Sequence, residues 1–224
     1  MQVRQNIFRF LFINLLLCVT LTSTGQADST KRVGGLSFGI DLSRFLVSIW
    51  EPIGLNMEFQ ANIEAGNSFS LVAEGGWLTS NISEETYDYE LKGSYYRLGG
   101  LFNVLKREPN DLSAINVGLL YGFSPYWHKA DHIQIKDKYW GEGSGSLPMN
   151  NLFSHWLEIN AGIRVEIFKN WMMGWKIRTK FRISKNEDPI MAPYLTPGFG
   201  KGDKNFSLGL SYYLVYRIPY KKRK

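Results

Sequence analysis

The stretch from Trp175 to Arg182, WKIRTKFR, sets a cation at every second position, with Lys176, Arg178, Lys180 and Arg182 separated by Ile177, Thr179 and Phe181. A helix would scatter both sets around its circumference, whereas an extended strand sends them to opposite faces. Such a strand separates two media. Either the apolar face lines a sheltered pocket and the charges meet water, or the charges are enclosed and the apolar face meets lipid.

The alternation recurs. Leu36, Phe38, Ile40 and Leu42 are followed by Leu55, Met57, Phe59, Ala61 and Ile63, then by Phe69, Leu71, Ala73 and Trp77, then by Tyr96, Leu98, Phe102 and Val104. Ile115 to Phe123, Leu157 to Ile167, the opening stretch and Phe206 to Tyr216 complete eight segments, which only Val72, Leu101 and Leu120 interrupt. Each is about nine to twelve residues, the length a tilted strand needs to cross a bilayer. The connections after the second and sixth segments are tight (EAGN, KN) and the one after the fourth (KREPNDLS) is modest. Those after the first, third, fifth and seventh are long, residues 125–151 being the longest. This predicts an all-β fold: a closed antiparallel up-and-down transmembrane β-barrel of eight strands, with short periplasmic turns and long extracellular loops.

Glycine placement chooses between the media. Gly35, Gly39, Gly76, Gly99, Gly118, Gly122, Gly162, Gly174 and Gly209 fall on the polar parity, against Gly75 and Gly100. A narrow barrel interior needs small residues among long side chains, whereas a water-facing strand gains nothing from glycine. The charges are therefore expected inside, because one cation on the lipid face at mid-bilayer costs about 2–4 kcal/mol. Glu58, Glu74, Glu158 and Glu166, with Asp41, are expected to neutralise Arg97, Arg164, Lys176, Arg178, Lys180 and Arg182 in a network that plugs the lumen. Trp77, Tyr96, Tyr121, Phe123, Trp171, Phe206 and Tyr216, near apolar strand ends, are expected at the two bilayer interfaces.

Residues 1–25 read as a cleaved export signal: Arg4, an apolar core from Ile7 to Leu21, then Ser23-Thr24-Gly25. Residues 26–224 form the barrel domain. Cys18, the single cysteine, lies in the signal, so disulfides cannot hold the mature fold. Without Arg4 and Arg9 the basic residues fall from 26 to 24 against 20 acids, too mild a charge to indicate nucleic acid. The basic tail YKKRK (220–224) is expected to be a solvated end, with contact to anionic lipid headgroups as the alternative.

The chain resembles the small outer-membrane β-barrels of Bacteroidota, in particular a domain-of-unknown-function family. The likeness rests on FGIDLSRFL (38–46), KGSYYRLG (92–99), YGFS (121–124), HWLE (155–158) and PGFG (197–200). It implies location in a Gram-negative outer membrane, with membrane lipid and the barrel-assembly machinery as partners, but no activity. Barrels of this class commonly end on an aromatic residue, whereas Lys221 to Lys224 follow Tyr220 here.

Chemistry is sparse. Ser154, His155 and Glu158 could serve a lipid A-modifying enzyme, but strand parity sends His155 away from the other two. His128, Asp131 and His132 could meet on a metal only if their segment were helical, and GEGSGS (141–146) reads as flexible loop. The expectation is a non-enzymatic barrel without metal or cofactor, displaying its loops for binding an unknown extracellular ligand, for adhesion or for envelope integrity. A soluble lipocalin-like carrier and a lipid A-modifying enzyme are the alternatives.

Overall fold

The computed structural model describes residues 35–44, 54–65, 68–105, 112–137, 141–186 and 188–219. The N-terminal segment with Cys18 and the tail 220–224 lie outside these. Eight strands close on themselves: β1 (Gly35–Asp41), β2 (Asn56–Glu64), β3 (Phe69–Glu84), β4 (Tyr87–Asn103), β5 (Ala114–Asp137), β6 (Gly141–Phe168), β7 (Trp171–Lys185) and, after a two-stranded excursion of β8 (Leu195–Thr196) and β9 (Gly200–Lys201), β10 (Phe206–Pro219). Sequential neighbours pair antiparallel, and β10 closes the ring between β7 and β1.

The register fixes the geometry. Following cross-strand partners from Tyr216 through Phe38, Ala61, Ala73, Leu98, Tyr121, Leu157 and Phe181 returns to β10 at Phe206, ten residues from the start. A stagger of that size over eight strands tilts them by about 40° and leaves an interior just wide enough for side chains. The segment with φ 67° at Asn170 closes β6 onto β7, and Gly35 pairs with Pro219, so both described ends lie at this short-turn end.

Polarity is inverted relative to a water-soluble barrel. Trp175 and Ile177 are 55% and 58% exposed on the outer wall, while Arg178 beside them is 2% exposed. Phe69, Leu71, Leu98, Phe102, Val117, Ile159, Ile163 and Leu210 extend the outer apolar surface around the ring, far beyond the patch size of a soluble monomer. Val72, Leu101 and Leu120, which interrupt the sequence alternation, all point inward and touch one another.

Two of the four long connections are not loops. β3 and β4 run together to the Glu84–Tyr87 pair, and β5 and β6 to Asp137–Gly141, so residues 125–137 and 141–151, the GEGSGS stretch (141–146) among them, are strand. The alternation continues there with its faces exchanged: Leu78, Tyr89, Leu91, Tyr126, Ala130, Leu147 and Leu152 make an apolar core inside, and Lys92, Glu90 and Lys129 lie outside, ion-paired. A sheet facing water must hide its apolar side, so these extensions stand beyond the apolar belt.

Residues 188–205 cross back over the long-loop mouth. Phe199 is fully buried between Tyr95 and Trp156, meeting the Trp156 ring at 5.8 Å edge-on. The short β8–β9 pairing belongs to this lid.

Candidate functional site

The inward positions of five strands converge at mid-height. Arg178 of β7 meets Glu58 of β2 at 2.8 Å, Glu74 of β3 at 2.6 Å and Glu158 of β6 at 2.7 Å. Arg97 of β4 meets the same three carboxylates at 2.6, 2.8 and 3.6 Å. Lys176 binds Glu74 at 2.6 Å and the Gln60 carbonyl oxygen at 3.1 Å. The Tyr95 hydroxyl donates to Glu58 at 2.8 Å, and Arg178 Nε donates to Ser211 Oγ at 2.9 Å. Every carboxylate is shared by two or more cations, the condition under which a buried ion cluster is tolerable.

Not every expected member joins. Arg164 lies at the short-turn end, 3.9 Å from Glu64, which binds Arg217 at 2.6 Å. Glu166 is at the rim, where its carboxylate accepts the Asn170 N–H at 2.9 Å and caps the β6–β7 turn. Lys180 and Arg182 point upward to the lid. Lys180 donates to the Gly198 and Phe199 carbonyls at 2.8 and 3.1 Å. Arg182 donates to the Gly202 and Lys201 carbonyls at 2.8 and 3.2 Å and to Thr196 Oγ1 at 3.2 Å. Asp41 is buried, accepting from the Ser43 amide at 2.9 Å.

Arg217, Glu64, Arg44 and the inward aromatics were missed by sequence reading. Strand parity carried the signal for the first two, since Arg217 follows Ser211, Tyr213 and Val215 inward, and Glu64 follows Glu58, Gln60 and Asn62. Arg44 gave none, because it reaches Glu58 at 3.2 Å only after the chain leaves β1.

Between the two charge layers, Gln60, Asn62, Asn116, Asn160, Arg164 and Lys176 border a chamber of about 10 Å³, room for one water.

The seven aromatics predicted at interfaces all lie on the outer face. Trp171 packs on Tyr216 at 5.0 Å near the short-turn end, and Phe206 on Phe181 at 5.4 Å near the other. The ten residues from Trp171 to Phe181, at the strand tilt, span about 25 Å, the height of a membrane barrel's apolar band. Trp77, Tyr96, Tyr121 and Phe123 fall toward the long-loop edge.

The other chemical candidates come apart. Ser154 and Glu158 are buried inside, whereas His155 stands outside, 4.8 Å from the Phe123 ring. The segment of His128, Asp131 and His132 is strand and irregular sheet, and His128 is fully buried while the His132 side chain is 81% exposed. Among the described residues no cluster of three metal-binding side chains exists. His128 instead donates from Nε2 to Asp188 of the lid at 3.0 Å, and its Nδ1 lies 3.2 Å from the Tyr89 hydroxyl. Asn150 and the Ile190 and Met191 amides also donate to Asp188. Burial opposes the charge of this carboxylate, but those donors outweigh it and hold its pKa down at about 2.

Solved outer-membrane barrels are similar in outline. A major outer membrane protein of Thermus thermophilus matches at 10% identity and a TM-score of 0.49, covering 83% of this chain and 98% of that one. Ail, the attachment invasion locus protein of Yersinia pestis, matches at 12% identity and a TM-score of 0.42, covering 84% and 100%. Neisserial surface protein A matches at 12% identity and a TM-score of 0.37, covering 84% and 96%. No curated protein matches the sequence. Residues 3–223 match the model of a domain of unknown function, DUF6048, and the chain belongs to that family.

Proposed function

We propose that this chain is a non-enzymatic integral barrel of a Gram-negative outer membrane, exported by its N-terminal segment, with a closed lumen and a rigid outer crown that meets partners outside the cell. The observation that carries this reading is the exchange of faces: Ile177 58% exposed on the wall, Arg178 2% exposed within. Water on that wall would leave a continuous apolar belt unhidden, whereas acyl chains match it over its whole height. The crown suits adhesion or envelope integrity because the β3–β4 and β5–β6 hairpins rise beyond the belt as one cored sheet rather than as loose loops. Membrane lipid and the assembly machinery are its expected partners, and the family resemblance points to a source among the Bacteroidota.

The lipocalin-like reading requires an apolar interior, which the central charge cluster occupies instead. Fractionation tests the proposal. The mature protein should require detergent and migrate differently in gels with and without heating; recovery as a soluble, heat-indifferent species would overturn it.

A further inference from the structure

We propose that Lys180 and Arg182 form a binding site for a small oxyanion such as phosphate or sulfate at the long-loop mouth, and that the lid carbonyls occupy this site as neutral surrogates. The two side chains take successive inward positions on β7, about 7 Å apart along the strand, a spacing that lets both reach one tetrahedral anion. All the hydrogen-bond partners of both are on the lid and uncharged: the carbonyls of Gly198, Phe199, Lys201 and Gly202 and the Thr196 hydroxyl. Among the described residues neither forms an ion pair. Glu158 is the register partner of Lys180, but its carboxylate turns to Arg178 at 2.7 Å.

A carbonyl offers only a partial charge, and a bond between two ions is roughly twice as strong as one to a neutral acceptor. The Arg182 guanidinium also lies over the Phe199 ring at 4.2 Å, but among the described residues no lid carboxylate pairs with either cation, so both keep attraction for an anion that the lid does not use. Beneath them the three shared glutamates seal the lumen, so an anion entering the mouth stops at this level. The lid is built to detach as a unit: among the described residues its only ladder is the internal β8–β9 pair, its turns at Gly198 and Gly200 have φ of 74° and 132°, and its deepest anchor is the Phe199 ring. A ligand that binds only the open state shifts the population toward it.

The test uses the full-length barrel in detergent at neutral pH, with inorganic phosphate and sulfate as probes and sodium chloride at matched ionic strength as control. Amide exchange across residues 194–203 should accelerate about threefold or more with either oxyanion while β3 to β6 remain unchanged. Phe199→Ala, which weakens the closed lid, should tighten phosphate binding roughly fivefold. Lys180→Met should abolish the response, and Arg182→Met should weaken it, both with heat-modifiable migration retained. An unchanged exchange pattern in both the wild type and Phe199→Ala would overturn the site. So would an equal phosphate response in a folded Lys180→Met or, if that variant does not fold, in Arg182→Met. Neither result bears on whether the wall lies in a membrane, which fractionation decides.

Discussion

Glu74 accepts from three cations at once, Arg97 at 2.8 Å, Lys176 at 2.6 Å and Arg178 at 2.6 Å. Glu74→Gln keeps the shape but leaves those charges short of an anion, and breaking a buried cluster from one side costs about 3–5 kcal/mol. Glu166 has the same parity and chemistry but caps a turn at the rim, so Glu166→Gln should cost about 1 kcal/mol or less. Urea unfolding of the two variants in detergent checks both, and equal losses would contradict the placement of Glu166. Gly122 tests packing at the same scale. A Cβ there would lie 2.1 Å from Cε2 of the Trp156 ring, which is fully buried and held beneath Phe199. Gly122→Ala should therefore destabilise by about 1–3 kcal/mol, and adding Trp156→Leu should recover part of that loss in the same assay.

Along a single strand, the outer face changes medium with height. Ile177 sits between Trp171 and Phe181, the aromatic edges of β7, whereas Asn81 is exposed on the part of β3 that rises beyond the belt. Ile177→Arg should cost about 2–4 kcal/mol and reduce assembled protein in membranes, while Asn81→Arg should be tolerated. Equal yields of heat-modifiable protein from both would mean that the belt is misplaced. Height also explains what could be read from the sequence. The eight belt segments were legible because one rule, apolar outward, holds along each of them. Beyond Trp77 and Tyr121 the strands continue, but with apolar residues inward, so the rule fails without any break in the chain and the extensions pass for polar loops. Val72, Leu101 and Leu120 broke the alternation for a reason visible only in three dimensions, since they face one another across adjacent strands. Parity gave the direction of Lys180, Arg182 and Glu166 but not their partners, because the partner depends on height in the barrel and on a lid whose path has no periodic signature.

At the scale of the molecule, the barrel and its lid are held by different chemistry and should separate under acid. The central carboxylates are locked among arginines inside the wall, whereas the lid is latched at the long-loop mouth through Asp188. Around that carboxylate lie His128 of β5, Asn150 of β6 and the Ile190 and Met191 amides of the lid itself. Tyr89 of β4 lies behind His128, and Lys185 of β7 borders the same furrow. The pKa of Asp188 is lowered from an ordinary 3.8 to about 2. A depressed carboxylate stabilises the closed form fully above its unfolded value and loses that contribution as pH falls through its folded one. The latch should thus hold at pH 4.5 and fail progressively between about pH 4 and pH 2. Pepsin, active across this range, reports it directly. Normalised to cleavage of an unfolded control, cuts between Tyr194 and Phe199 should appear toward pH 2 while β3 to β7 stay intact. Asp188→Asn, which removes the titrating charge but keeps the volume, should be cut at both pH values. If the wild type resists equally at pH 2, or the variant resists as well as the wild type at pH 4.5, the lid is held by Phe199 and the β7 cations alone, and the His128–Asp188 contact does not latch it.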